Sequence, residues 1–137
     1  MASRDPDFVV VQRDFAYDRI PQLVQSVAGF GESPEWRELE QNDLDELPGV
    51  VLGALRRFLL RLSSEADVSP RGDLAESLSD GFDFIEKLAA SDDSELKNAI
   101  VAEIFEPLEP GTEATRHFYR QLGTSAAELY RKYCLHP

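Results

Sequence analysis

The sequence predicts an all-α fold: a single-domain bundle of six or seven short helices over residues 18–137, preceded by an extended N-terminal arm at 1–17. Three observations predict it. Apolar residues recur at three- and four-residue spacings along most of the chain, whereas strand signals are too few for a sheet. Capping residues stand before the periodic stretches, and Gly or Pro stands after them. Finally, 137 residues with 42% hydrophobic content suffice for one core, since a chain near this length buries roughly 68–70% of its unfolded surface.

The elements follow in order. In the arm, Phe8–Val11 is a strand or an extended segment laid on the core, without an obvious pairing partner. From Asp18, the positions Ile20, Leu23, Val24 and Val27 follow helical spacing, with Pro21 in the first turn and Gly29 and Gly31 as the stop. Ser33 and Pro34 provide the N-cap and first residue of a short helix bearing Trp36 and Leu39. An acidic connector, Asn42–Pro48, leads to the most apolar helix, from Pro48 or Gly49 to about Ser64. Its Val51, Leu52, Leu55, Phe58, Leu59 and Leu62 fall within an arc of about 120°, which makes it the centre of the core.

Ser63–Gly72 reads as a polar loop. The next helix, about Asp73–Ala90, carries Leu74, Leu78, Phe82, Ile85 and Ala89 on a narrow stripe. Gly81 in its middle costs about 1 kcal/mol relative to Ala and is a candidate kink or break. Asp92 with Glu95 forms a capping-box signature for a helix whose stripe is Leu96, Ile100, Val101, Ile104 and Leu108, ended by Pro107 and Pro110–Gly111. The link Ser91–Ser94 is short enough to make these two helices an antiparallel hairpin. Thr112 caps a helix bearing Phe118, Tyr119 and Leu122. After Gly123–Thr124, a last helix carries Leu129, Tyr130 and Tyr133.

The formal charge is -12, from 26 Asp+Glu against 14 Lys+Arg. It is concentrated: residues 1–31 carry -1, residues 32–109 carry -13 and residues 110–137 carry +2. Such a balance excludes modes that neutralise phosphate, so neither a nucleic-acid backbone nor an anionic bilayer is an expected partner. A single cysteine, Cys134, excludes an internal disulfide and a multi-cysteine zinc site. No signal peptide is visible, and no stretch approaches the ~18 apolar residues of a membrane span. The expectation is a soluble cytoplasmic monomer.

Little in the sequence points to catalysis. His117 and His136 are the only histidines; His136 is penultimate, and His117 lies four residues after Glu113, with which it can pair. Asp67–Leu78 begins like a calcium loop but has Arg71 at the fifth place and Leu78 at the twelfth, where a bidentate Glu is needed. No Gly-rich phosphate cradle and no Glu-x-x-His pair is present. The chain is read as a non-enzyme without cofactor or metal.

Two acidic features are candidate partner-binding sites. Asp73, Glu76, Asp80 and Asp83 recur at spacings of three and four, and project within about 80° of one another opposite the apolar stripe. They form either a negative ridge for a basic partner or a solvated face helped by Asp83–Lys87 pairing. Glu38, Asp43, Asp45 and Glu46, with Glu40, cluster at a helix end and connector, where their combined field steers a cationic partner or merely confers solubility. Trp36 beside them is a core residue or, if exposed, an aromatic anchor. Arg56, Arg57 and Arg61 lie behind the apolar arc and are expected to pair with acids of the same region.

Gly72–Leu108, with Gly72-Asp73-Leu74, Phe82–Glu86, the Ser91–Ser94 turn and the amphipathic helix after it, carries a resemblance, together with Pro48–Leu62 and Leu122–Gly123. It resembles small, acidic, all-helical bacterial domains of unknown function, some of which are similar to immunity proteins encoded beside polymorphic toxins. That resemblance implies a cytoplasmic antitoxin that occludes the active site of a basic cognate toxin. It supplies no contact residues, so the sites above rest on charge geometry alone. The alternatives are a helical adaptor that takes a partner helix in an apolar groove, and an acidic DNA mimic.

Overall fold

The apolar arc of the long helix is buried along its length: Val51, Leu52, Leu55 and Leu59 have no exposed surface, and Phe58 and Leu62 almost none. The computed structural model describes residues 16–68 and 72–134, which form seven α-helices and, among the described residues, no strand. They are α1 (Ile20–Leu23), α2 (Pro34–Gln41), α3 (Pro48–Val68), α4 (Gly72–Ala89), α5 (Ser94–Ile100), α6 (Glu113–Arg120) and α7 (Thr124–Cys134). The all-α bundle is as the patterning predicts. Residues 1–15 of the expected arm lie outside the described residues. Tyr17 belongs to the helical body, since it opens a 3-10 turn and packs on the core.

Helix α3 is the axis, in contact with α1, α2, α4, α6 and the continuation of α5, while α7 packs on α4 and that same continuation. Phe30, Leu88, Leu96, Ile100, Phe105 and Phe118 complete one core around it. The expected pairing of α4 with α5 is present. Ser33 and Thr112 cap α2 and α6 as read, accepting from the amides of Trp36 at 3.2 Å and Thr115 at 3.1 Å.

Five local departures have physical causes. Tyr17–Ser26 alternates between 3-10 and α geometry, because Pro21 cannot donate to the Tyr17 carbonyl and the amide of Ile20 does so instead. Helix α3 continues to Val68, four residues beyond the expected stop, and takes in half of the expected polar loop. Ser63 there is buried and accepts a hydrogen bond from Gln121 at 3.0 Å, while Arg61 pairs with Glu65 one turn on at 2.8 Å. The N-cap of α5 is Asp93, not Asp92: its Oδ1 accepts from the Glu95 amide at 2.8 Å. Gly81 does not break α4, since it is where α4 lies directly on Leu59 of α3. Lastly, α5 widens into a π-helical segment at Val101–Phe105, closed by the Glu106 amide donating to the Val101 carbonyl at 2.8 Å.

Candidate functional site

The acidic bend at the α2–α3 junction is built by the way α2 ends. The amide of Leu44 donates back to the Leu39 carbonyl at 2.8 Å and that of Asp43 to Glu40 at 3.3 Å, the double closure of a Schellman motif. Leu39 is buried and Leu44 packs against the core, which pins the turn. The motif needs a left-handed residue at its corner, usually glycine, and here the corner is Asp43 at φ 56°.

Asp43 is therefore disfavoured twice over. Its backbone sits where side chains cost energy, and its carboxylate stands at the negative end of a helix dipole. Glu38 and Glu40 crowd the same end, and no basic residue occupies the last turn of α2. Asn42 fastens the end by donating from its side chain to the Glu38 carbonyl at 2.8 Å. Of the nearby cations, Arg57 reaches Glu38 only at 4.0 Å, with both side chains largely exposed. This end of α2 is arranged against its own stability.

The same bend carries apolar surface. Leu47 is 47% exposed and Val50 36%, two of the three large hydrophobic residues in the described set that stand in solvent. They flank Pro48 at the start of α3, directly after Asp45 and Glu46. Glu46 is exposed and Asp45 half-buried. An apolar centre with a charged rim is the composition of a protein interface.

Trp36 takes the core alternative of its two readings and is not an exposed anchor of this surface. It is 7% exposed, with its ring centroid 5.6 Å from that of Phe30, because the Ser33 cap starts α2 with that position facing the core. The exposed apolar residues beside the acidic cluster are Leu47 and Val50. Neither stands out in sequence, since an apolar residue before a helix ordinarily packs inward; only the bend shows them exposed.

The second cluster is divided. Helix α4 presents Glu76 and Asp83 to solvent, while the side chain of Asp73 lies outside the described residues. Asp80 is half-buried and accepts from the amide of Ala28 at 3.1 Å, so it anchors the turn that contains Gly29 at φ 80°. That contact leans the ridge against α1 and forms an open groove of about 490 Å³, floored by Leu23 and Phe84 with Asp80 and Asp83 on one wall. Phe84 is 5% exposed, so the buried face of α4 is wider than the expected stripe. Among the described residues no ion pair joins Asp83 to Lys87. The ridge and the bend lie on different elements.

Of the α3 arginines, Arg61 pairs with acids as expected, Arg57 approaches Glu38 only at 4.0 Å, and Arg56 donates to the Glu103 backbone carbonyl instead of an acid. Arg61 grips Glu35 with two hydrogen bonds, at 2.8 and 2.9 Å, and Glu65 with a third at 2.8 Å. Burial alone would raise the Glu35 pKa, but the hydrogen bonds and charge of Arg61 outweigh it and hold the carboxyl below its ordinary value. Glu35 in turn raises the pKa of Arg61 further against its burial. His117 stands 3.8 Å from Glu113, the pairing its spacing suggests. Burial, with the nearby charge of Glu106, pushes the Cys134 thiol up, away from the thiolate a nucleophile needs. Among the described residues, no group of three His, Cys, Asp or Glu side chains is placed to hold a metal ion, and no helix is long and apolar enough to cross a membrane.

Residues 31–136 match the family model of DUF7674, a domain of unknown function. The chain belongs to the DUF7674 family. No curated protein and no solved structure is detectably similar to it. The match starts at Gly31, so the DUF7674 domain takes in the acidic bend, α3 and the whole of α4, and leaves out α1. Only the α4 wall of the α1–α4 groove therefore lies inside the matched region, as does the bend with Leu47 and Val50.

Proposed function

We propose that this DUF7674 domain is a non-enzymatic binding protein of immunity type, which captures a basic protein on its acidic bend and occludes that partner's active site. One observation carries the reading: Asp43 occupies the left-handed corner of α2, where glycine would suit the fold better, beside the exposed Leu47 and Val50. A residue placed against local stability at a surface with an apolar centre fits a binding site. Glu38, Glu40, Asp45 and Glu46 extend the field that steers the partner in, and Leu47 provides the contact that excludes water once it has docked. Glu76 and Asp83 add to the same long-range field from α4. The partner is a basic protein, not a nucleic acid or an anionic lipid surface, because a chain of charge -12 repels both. The domain acts as a cytoplasmic monomer in this reading.

The test is capture on the immobilised full chain at low and high salt, followed by assay of what is retained. The expected result is a basic protein that elutes with salt, has a toxic activity of its own, and loses that activity in the complex. Asp43→Lys with Glu46→Lys should abolish capture while leaving helicity unchanged. Retention of a partner equally well by that variant would remove the bend as the interface.

A further inference from the structure

The C-terminal part of the chain departs from the rest in charge, and the structure gives that departure a shape. Residues 110–137 carry +2 in a chain of -12. Two of their three arginines, Arg116 and Arg120, line an open cleft of about 420 Å³ between the Pro110–Gly111 turn, α6 and α7. Its floor is aromatic. The rings of Tyr119 and Tyr130 lie 5.2 Å apart, and Tyr130 is fixed from behind by an edge contact with Phe105 at 5.2 Å. Arg131 donates from Nη1 to the Tyr119 hydroxyl at 2.8 Å, which sets the tilt of that ring.

The rim is cationic and unneutralised. Arg116 and Arg120 stand one turn apart on α6 and both line the cleft. Arg116 spends one nitrogen on the Gly111 carbonyl at 3.0 Å, which ties the turn to the helix and leaves the remaining donors of its guanidinium available. Among the described residues no carboxylate pairs with either arginine, although the chain holds 26 acidic residues. Two like charges at this spacing repel, and among the described residues nothing compensates them beside an apolar floor.

We propose that this cleft binds a small aromatic carboxylate, its ring laid against Tyr119 with the buried Tyr130 beneath, and its carboxylate held by Arg116 and Arg120. Guanidinium groups are suited to carboxylates because they offer parallel donors, and the half-buried Tyr119, backed by the buried Tyr130, accepts a flat ring in offset or edge contact. The size fits one ring system with one charged group. Helix α6 has eight residues and is about 12 Å long, which is short for an extended peptide but ample for a bicyclic acid. The inference does not rest on the acidic bend or on capture of a basic protein there.

The experiment is an amide-resolved NMR titration of the full chain with 2-naphthoate, and in parallel with the uncharged naphthalen-2-ylmethanol. The expected result is saturable shifts confined to residues 110–120 and the surroundings of Tyr130. Affinity should fall about tenfold or more both for the uncharged probe and for Arg116→Gln with Arg120→Gln, as loss of charge-assisted hydrogen bonds requires. Both substituted positions are on the surface, and an unchanged spectrum elsewhere verifies the fold of the variant. Shifts that do not saturate, shifts that map outside the cleft, or equal affinity for the uncharged probe would each overturn the proposal.

Discussion

Arg56 donates from Nη1 to the backbone carbonyl of Glu103 at 2.7 Å. In an α-helix that carbonyl would accept from the amide of residue 107, and residue 107 is proline. The arginine of α3 thus supplies the donor that Pro107 lacks, at the π-helical end of α5. Burial and the neighbouring Arg57 lower the pKa of Arg56, which marks how far its charge has been drawn into the fold.

Arg56→Met should therefore destabilise the domain by about 1–3 kcal/mol, the usual consequence of leaving a partly buried acceptor unpaired. In a Pro107→Ala background the restored amide can take over, and the loss should shrink. A double-mutant cycle in urea measures this coupling. An equal loss in both backgrounds would separate Arg56 from the carbonyl.

Two glycines inside helices should respond with opposite signs. A Cβ on Gly53 would meet nothing nearer than Nη1 of Arg57 at 3.8 Å, so Gly53→Ala should stabilise α3 by about 0.5–1 kcal/mol. A Cβ on Gly81 would overlap the Leu59 side chain, with one methyl at 3.1 Å and the other closer. Gly81→Ala should destabilise by about 1–3 kcal/mol despite its better helix propensity. Thermal melts of the two variants decide it.

Acid should unfold the protein partly through Glu35 and Glu86. The Glu86 carboxylate caps α7 from α4, accepting from the amides of Ala126 at 2.9 Å and Ser125 at 3.0 Å. Burial works to raise its pKa, but those hydrogen bonds lower it below the ordinary 4.5, as Arg61 does for Glu35. Both carboxylates hold their protons less tightly when folded than when unfolded. Their contribution is thus complete above about pH 4.5 and is lost as pH falls through the depressed folded values. Glu35→Gln and Glu86→Gln should cost stability at neutral pH and progressively less below pH 4.5. A cost that does not change with pH would place the effect in packing. Gly123→Ala should mimic Glu86→Gln, because its Cβ would fall 2.6 Å from Oε1 of Glu86.

The bend should show the reverse of ordinary mutational behaviour. Asp43→Gly and Glu40→Gln relieve the left-handed side chain and the charge at the helix C-terminus, so each should stabilise the fold by about 0.3–1 kcal/mol. The same changes should slow capture of the basic partner proposed here. Denaturation midpoints check the first half, and association rates the second.

How much of this was legible in sequence depended on range. Periodicity and caps are local, so the stripe of α3, the Ser33 and Thr112 caps and the pairing of Arg61 could be read along the chain. The burial of Ser63 could not, because its partner Gln121 lies 58 residues away. Asp80 looked like its neighbours on the acidic ridge, yet a hydrogen bond to Ala28 across 52 residues takes it out of that row. The exposure of Leu47 and Val50 was not legible for the same reason: which apolar residue faces solvent is decided by the turn that Asp43 makes. The cationic cleft was visible only as a charge count of +2 until α6 and α7 came together.

The most direct measurement is the association and dissociation of the captured partner as a function of ionic strength, for the native chain and for Leu47→Ala. The account predicts an association rate that falls steeply with added salt, and a Leu47→Ala complex that forms at nearly the native rate but dissociates about tenfold faster or more, as loss of an interface anchor produces. An association rate indifferent to salt, with dissociation unaffected at Leu47, would contradict it.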